Sequence, residues 1–292
     1  MKRIIPLIGL ILFLGCVNQF ESIAHYKEEV PEVFENNVDA GEISLDFQTF
    51  NGFTEIHLWD KKSYRIEVNK WARATTSEEA ERKAQDLQVD LSEERTEGKL
   101  TLTLKVESIK NTGAEIKAFL PRTTFDAIYL STANGYILVE EIYAKDVFLN
   151  TTNGYCEAYI TASTIRVNTT NGFVKGFYDG NEVTIETSNG KIEIACGDAG
   201  TYVVGTTNGF INVSGGSSGS YTISTTNGSI NVTLTGDFVF DLETTMGVIT
   251  VDADTITYTL DEKNHMKGYT REGALLTVTA STTNGTVTVT KE

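Results

Sequence analysis

Histidine is scarce in this chain. His25, His57 and His265 are the three in 292 residues, and their separations match no metal-ligand pattern. Proline is equally rare, with three residues, which excludes a proline-rich linker or a polyproline rod. Basic residues are outnumbered, 24 against 40 acidic, for a formal charge of −16, and such a surface repels nucleic acid. No nucleophile elbow or phosphate-cradling glycine loop is present, so no catalytic, cofactor-binding or metal-ligating residue is assigned and no cofactor is implied. After the first fifteen residues, no apolar run is long enough to span a bilayer.

Glycine, in contrast, is abundant and periodic. The tetrapeptide Thr-Thr-Asn-Gly and its variants place Gly135, Gly154, Gly172, Gly190, Gly209 and Gly228 at steps of 18 or 19 residues. Thr-Thr-Met-Gly puts Gly247 a further 19 on, and Gly285 lies 38 beyond that, which reads as two steps with one copy lost. A fixed period of this size marks a repeat architecture.

Other columns repeat with the glycine. Seven and five residues before it stand apolar residues such as Ile128 and Leu130, Ile165 and Val167, Val183 and Ile185. Two and four after it stand Ile137 and Val139, Ile192 and Ile194, Ile230 and Val232. Polar residues alternate with them, so each repeat reads as two strands with one buried face. Three before the glycine every copy has threonine, from Thr132 to Thr282, on the buried parity.

An Asn-Gly corner between alternating strands is also the strongest hairpin signal, because both residues tolerate positive φ. A meander of hairpins gives no reason to repeat threonine and asparagine at one corner. A stack of coils does, since identical polar side chains can hydrogen-bond along the stack. The expected fold is therefore all-β: a single-domain β-solenoid, parallel β-helix-like, with coils of 18–19 residues. One coil buries too little apolar surface to offset its ordering entropy, so the coils should fold as a cooperative stack.

The ends differ from the body. Lys2 and Arg3 precede an apolar run from Ile4 to Leu14, which reads as a signal peptide over residues 1–15. The run stops at Gly15-Cys16, and Leu12-Phe13-Leu14-Gly15-Cys16 resembles the lipobox of prokaryotic lipoproteins, with Phe13 where leucine is usual. That resemblance implies lipidation of Cys16, an exported chain, and attachment to the outer face of a membrane. Cleavage there leaves 22 basic and 40 acidic residues. Residues 16–40 read as a Glu-rich tether. Residues 41–125 read as irregular N-terminal coils, with a first coil around Gly52 and a helix over 77–86, N-capped by Thr76 with Glu79 closing a capping box. The regular repeats fill 126–292. Of the other cysteines, Cys156 belongs to a core column two coils from Cys196, too far for a disulfide, and reads as a free core residue. Six Asn-X-Ser/Thr sequons arise from the Thr- and Asn-rich repeat itself.

Leu120-Pro121, leading into Leu130-Ser131-Thr132-Ala133-Asn134-Gly135-Tyr136-Ile137 and then the Thr-Thr-Asn-Gly series, resembles the putative-adhesin family of repeat domains in prokaryotic envelope proteins. The resemblance spans residues 41–292. It implies a β-solenoid at the cell surface and brings no catalytic residues with it.

Two outward columns are the candidate sites. Three after the glycine, Glu157, Lys175 and Glu193 stack as acid, base, acid, which fits a surface ion-pair ladder or, alternatively, a polysaccharide-active row. One after the glycine stand Tyr136, Tyr155, Phe173, Lys191 and Phe210, with Phe53 in the early copy. Tyr136, Tyr155, Phe173 and Phe210 form a possible binding surface for envelope polysaccharide or a surface protein. The same stripe also fits a structural stack under the N-terminal excursion. The function read from the sequence is a non-enzymatic envelope lipoprotein whose rigid body serves adhesion or surface assembly. The alternative is a polysaccharide-binding or polysaccharide-active solenoid.

Overall fold

The computed structural model describes residues 26–198 and 200–292. The signal peptide, Cys16 and His25 lie outside them. The described chain holds 22 strands and one helix. The strands form one continuous sheet wound around a single core, with strands that lead into each Asn-Gly corner followed by strands that trail out of it. Pairing between repeats is parallel and in register: Val167 opposes Ile185, Thr169 opposes Thr187, and Asn171 opposes Asn189. A hairpin meander would pair antiparallel, so the solenoid is the fold. The apolar columns fill the core. Ile128, Leu130, Val147, Leu149, Val167, Ile185, Ile192 and Ile211 are all buried.

The corner works differently from the expected turn. Among the described residues Asn111 is the one non-glycine with positive φ, so the corner asparagines are extended. The chain bends there from a leading to a trailing strand instead of reversing, and of the corner glycines Gly52, Gly209 and Gly285 take a positive φ of 142°, 156° and 154°. Glycine is required by proximity. A Cβ on Gly154 would lie 1.7 Å from the Gly135 carbonyl oxygen of the neighbouring coil. The asparagines stack into a ladder: Asn134 donates to Asn51 at 2.7 Å, Asn153 to Asn134 at 2.8 Å, and Asn171 to Asn153 at 2.9 Å. It continues through Asn189, Asn208 and Asn227 to Asn284. The buried threonines bond across coils too. The hydroxyls of Thr132, Thr151 and Thr169 donate to the carbonyls of Gly52, Gly135 and Gly154.

No copy is missing near the C-terminus. Leu276–Asn284 lies between Gly219–Asn227 and Phe238–Met246, pairing in parallel with both. The last repeat is inserted between two earlier ones, so both edges of its strand are paired. The antiparallel strands His265–Tyr269 and Thr257–Glu262 then cover the exposed edge of Phe238–Met246. The N-terminal end repeats the device. Glu42–Gln48 lies between Lys99–Val106 and Phe125–Asn134. The excursion therefore supplies an outer coil as well as a cap, and Val89–Thr96 pairs antiparallel with its Lys99–Val106 edge.

The expected tether is partly a strand. Tyr26–Asn37 pairs antiparallel with Ser63–Ala74, with Phe34 opposite Ile66. Pro31 removes one donor, which an edge strand tolerates. Charged residues alternate with half-buried Val30 and Phe34, the pattern of a strand at a solvated edge. The helix spans Ser77–Asp86 and buries Ala80 and Ala84. Thr76 Oγ1 accepts from the Glu79 N–H at 3.2 Å, but the Glu79 carboxylate turns to Thr75 and Lys83. The capping box is therefore half formed. Among the described residues no helix is long and apolar enough to cross a membrane.

Candidate binding face

The trailing strands present three outward columns side by side, at one, three and five residues after the glycine. In the first, the rings of Phe53, Tyr136, Tyr155 and Phe173 stack one on the next. Centroids are 4.7, 4.8 and 4.7 Å apart, with planes within 12°, 9° and 1° of parallel. In-register parallel coils sit about 4.8 Å apart, so identical rotamers bring rings into contact without strain. The Lys117 ammonium lies 5.5 Å from the Phe53 ring centre and Lys191 lies 4.6 Å from that of Phe210. Rings that stack this way use their faces on each other and offer solvent their edges. Tyr136 and Tyr155 are half-buried, while Phe173 and Phe210 are exposed. The structure thus brings Tyr136, Tyr155 and Phe173 together and sets Phe210 apart behind Lys191.

The rungs beside Phe53 carry a polar network that the sequence did not reveal. Glu55 is buried and accepts from the Tyr136 hydroxyl. Its carboxylate also meets Lys117 at 3.3 Å and His57 Nε2 at 3.2 Å, and His57 Nδ1 lies 2.7 Å from Glu140. Burial alone would raise the Glu55 carboxyl, but the bonds from Tyr136, His57 and Lys117 outweigh it and hold it below the ordinary value. Burial and the Glu55 carboxylate push Tyr136 upward.

The second column is an ion and amide ladder. Lys175 lies 3.6 Å from Glu157. Glu193 pairs with Lys191, which holds its carboxyl low, and accepts from Asn212 at 3.4 Å. Asn231 donates to Asn212 at 3.0 Å. Each carboxylate of the expected acid–base–acid row therefore has a cation beside it. Among the described residues no three His, Cys, Asp or Glu side chains gather to hold a metal. Cys156 and Cys196 are buried free thiols, and burial pushes the Cys156 thiol up to about 12.

The third column breaks the smooth face. Tyr159 and Phe177 stand on adjacent rungs, and Ala195, Ser214 and Thr233 continue the column. The fall from ring to small side chain opens a shallow groove of about 610 Å³, edged by Lys175, Glu193, Asn212 and Asn231. A bulge sits at its head. A 19-residue coil meets an 18-residue one, so Glu140 and Glu141 both oppose Tyr159. Sequence reasoning missed this column, although its signal is the pair of rings five residues after Gly154 and Gly172.

A family model described as Toastrack DUF4097 matches residues 42–290. Three solved structures are similar to this chain. One, titled a putative adhesin, is from Bacteroides fragilis NCTC 9343; it is 12% identical, covers 89% of this chain and 97% of its own, and has a TM-score of 0.43. Another putative adhesin, from Parabacteroides distasonis ATCC 8503, is 11% identical over 89% and 97%, with a TM-score of 0.36. A putative cell adhesion protein from Clostridium sporogenes ATCC 15579 is 12% identical over 90% and 100%, with a TM-score of 0.26.

Proposed function

The chain belongs to the Toastrack DUF4097 family, and from that premise we propose that it is a non-enzymatic, lipid-anchored envelope protein whose solenoid displays its trailing face for adhesion or surface assembly. The observation that carries this reading is the trailing face itself. It is broad and regular, and it combines stacked rings with paired charges and amides. Cross-coil ladders on both sides of the corner hold it to one shape, and a preordered surface binds at lower entropic cost. The carboxylates along it, Glu55, Glu157 and Glu193, each have a cation beside them, which suits structure and recognition better than proton transfer. Cys16 would carry the lipid and hold the body at the outer membrane face, with envelope polysaccharide or a surface protein as the partner.

Intact-mass analysis of the mature protein tests the anchor. The expected product begins at Cys16 and carries acyl chains, and Cys16→Ser releases the chain from the membrane fraction. An unacylated mature N-terminus elsewhere would end the proposal.

A further inference from the structure

We propose that the groove between Tyr159 and Thr233 binds a neutral, linear glycan. This rests on the trailing face being the display surface and names what that surface takes.

The shape argues for an extended chain. The groove runs along the stack across successive rungs, from Tyr159 and Phe177 past Ala195 and Ser214 to Thr233. Its repeat is the rung spacing of about 4.8 Å, close to the length of one pyranose unit. A linear glycan laid along it would place successive sugars over successive rungs.

The chemistry argues for hydroxyl groups. Beyond the bonds from Asn212 to Glu193 and from Asn231 to Asn212, each of these amides keeps a second hydrogen and carbonyl lone pairs; the Ser214 hydroxyl, which donates to the Ile194 carbonyl at 3.4 Å, can still accept, and the Thr233 hydroxyl can do both. Sugar hydroxyls also donate and accept, so a row of mixed groups suits them. At the head of the groove the rung after Phe177 carries Ala195, which has no ring to cover it. A free aromatic face suits the C–H face of a pyranose. The stripe of Tyr136, Tyr155 and Phe173 offers no such face, because its rings cover one another.

The charge argues for neutrality. Lys175 faces Glu157, and Glu193 is held by Lys191 and Asn212, so the edge of the groove carries no unpaired cation for a phosphate, sulfate or uronate. The chain as a whole, at −16, repels polyanions. The close approach at Gly176, where a Cβ would lie 1.8 Å from the Ala158 carbonyl oxygen, fixes the backbone beneath the two rings.

The test uses the full mature chain and three probes: linear hexasaccharides of β-1,4-linked glucose, of β-1,4-linked N-acetylglucosamine, and of α-1,4-linked galacturonate. Binding is read by saturation-transfer NMR and calorimetry. At least one neutral hexasaccharide binds, and the galacturonate does not. Phe177→Ala and Asn212→Ala each weaken binding by about tenfold or more. Ala195→Trp, which fills the groove and removes no polar group, abolishes it. Circular dichroism and melting temperature confirm that each variant is folded. Absence of binding by both neutral probes, undiminished binding by folded Phe177→Ala and Ala195→Trp, or preference for galacturonate would each overturn the proposal. These outcomes are separable from failure of the display reading. Surface attachment without glycan binding sinks the groove alone, and glycan binding by a chain that is never anchored sinks the display reading.

Discussion

The hydroxyl of Thr169 donates to the carbonyl oxygen of Gly154, one coil away, at 3.2 Å. The bond explains why threonine recurs three residues before every corner glycine. The glycine must be small because the next coil crosses it closely, and that crossing leaves its carbonyl bonded by the threonine hydroxyl. Thr169 is buried, so its loss orphans an acceptor away from water.

Thr169→Val keeps shape and strand preference but removes that donor. We expect it to cost about 1–3 kcal/mol, the penalty for an unmet buried carbonyl. Asn171→Leu loses its links to Asn153 and Asn189 at an exposed position, and it should cost less. Urea unfolding of both variants checks the order. If Thr169→Val is the milder change, the hydroxyl–carbonyl bond contributes little.

The asparagine ladder stops one coil early. Asn284 opposes Met246, and its side-chain oxygen is buried without a partner. Met246→Asn would place an amide where the ladder already points. Expected stabilisation is about 0.5–1.5 kcal/mol, one net hydrogen bond, while Met246→Leu gives none. Melting curves for the pair decide it, and equal shifts would mean that water already serves Asn284.

Much of the fold was legible because the period constrains the cross-section of the coil. The core columns, the threonine column, the asparagine stack and the Ser77–Asp86 helix all come from spacing within one coil or one turn. The order of stacking does not. Leu276–Asn284 has the same pattern whether it lies last or between two earlier strands, because every interior rung offers the same register. Tyr26–Asn37 was hidden for another reason: an edge strand buries one half-face, so its charges and Pro31 read as a tether. The groove escaped because it is made by the rungs beyond Phe177, a change from rings to Ala195 and Ser214 that no single column motif announces.

Glu55 gives the N-terminal rungs an acid-sensitive joint. Its folded-state carboxyl lies below the ordinary 4.5, with burial opposed by the bonds from Tyr136, His57 and Lys117. A depressed carboxyl contributes stability that is present above the unfolded value and is lost as pH falls through the folded one. Tyr136→Phe removes one of those bonds, so the Glu55 value should rise. The stability difference between wild type and variant should then shrink as pH drops below 4.5. Carboxyl-carbon NMR of Glu55, with urea melts at several pH values, measures both. A difference that stays constant down the acid range would show that Tyr136 acts through packing alone.

The stripe separates a structural stack from a docking strip. Replacing Tyr136, Tyr155 and Phe173 together with serine breaks all three stacked contacts that begin at Phe53. Aromatic pairs contribute about 0.5–1.5 kcal/mol each beyond their burial, so loss of the three contacts should lower stability by about 1.5–4.5 kcal/mol. Loss of hydrogen-exchange protection should concentrate on Thr54–Trp59, Ile137–Asn153, Cys156–Asn171 and Val174–Asn189, the strands that adjoin the rings. Phe210→Ser is the contrast. Phe210 is 42% exposed and has Lys191 over its ring, so its loss should cost less than about 1 kcal/mol. If surface attachment falls with Phe210→Ser while the fold holds, the open end of the stripe is a contact point. If the triple variant instead loses less than about 1 kcal/mol and attachment collapses, the rings serve a partner and the stacking account fails.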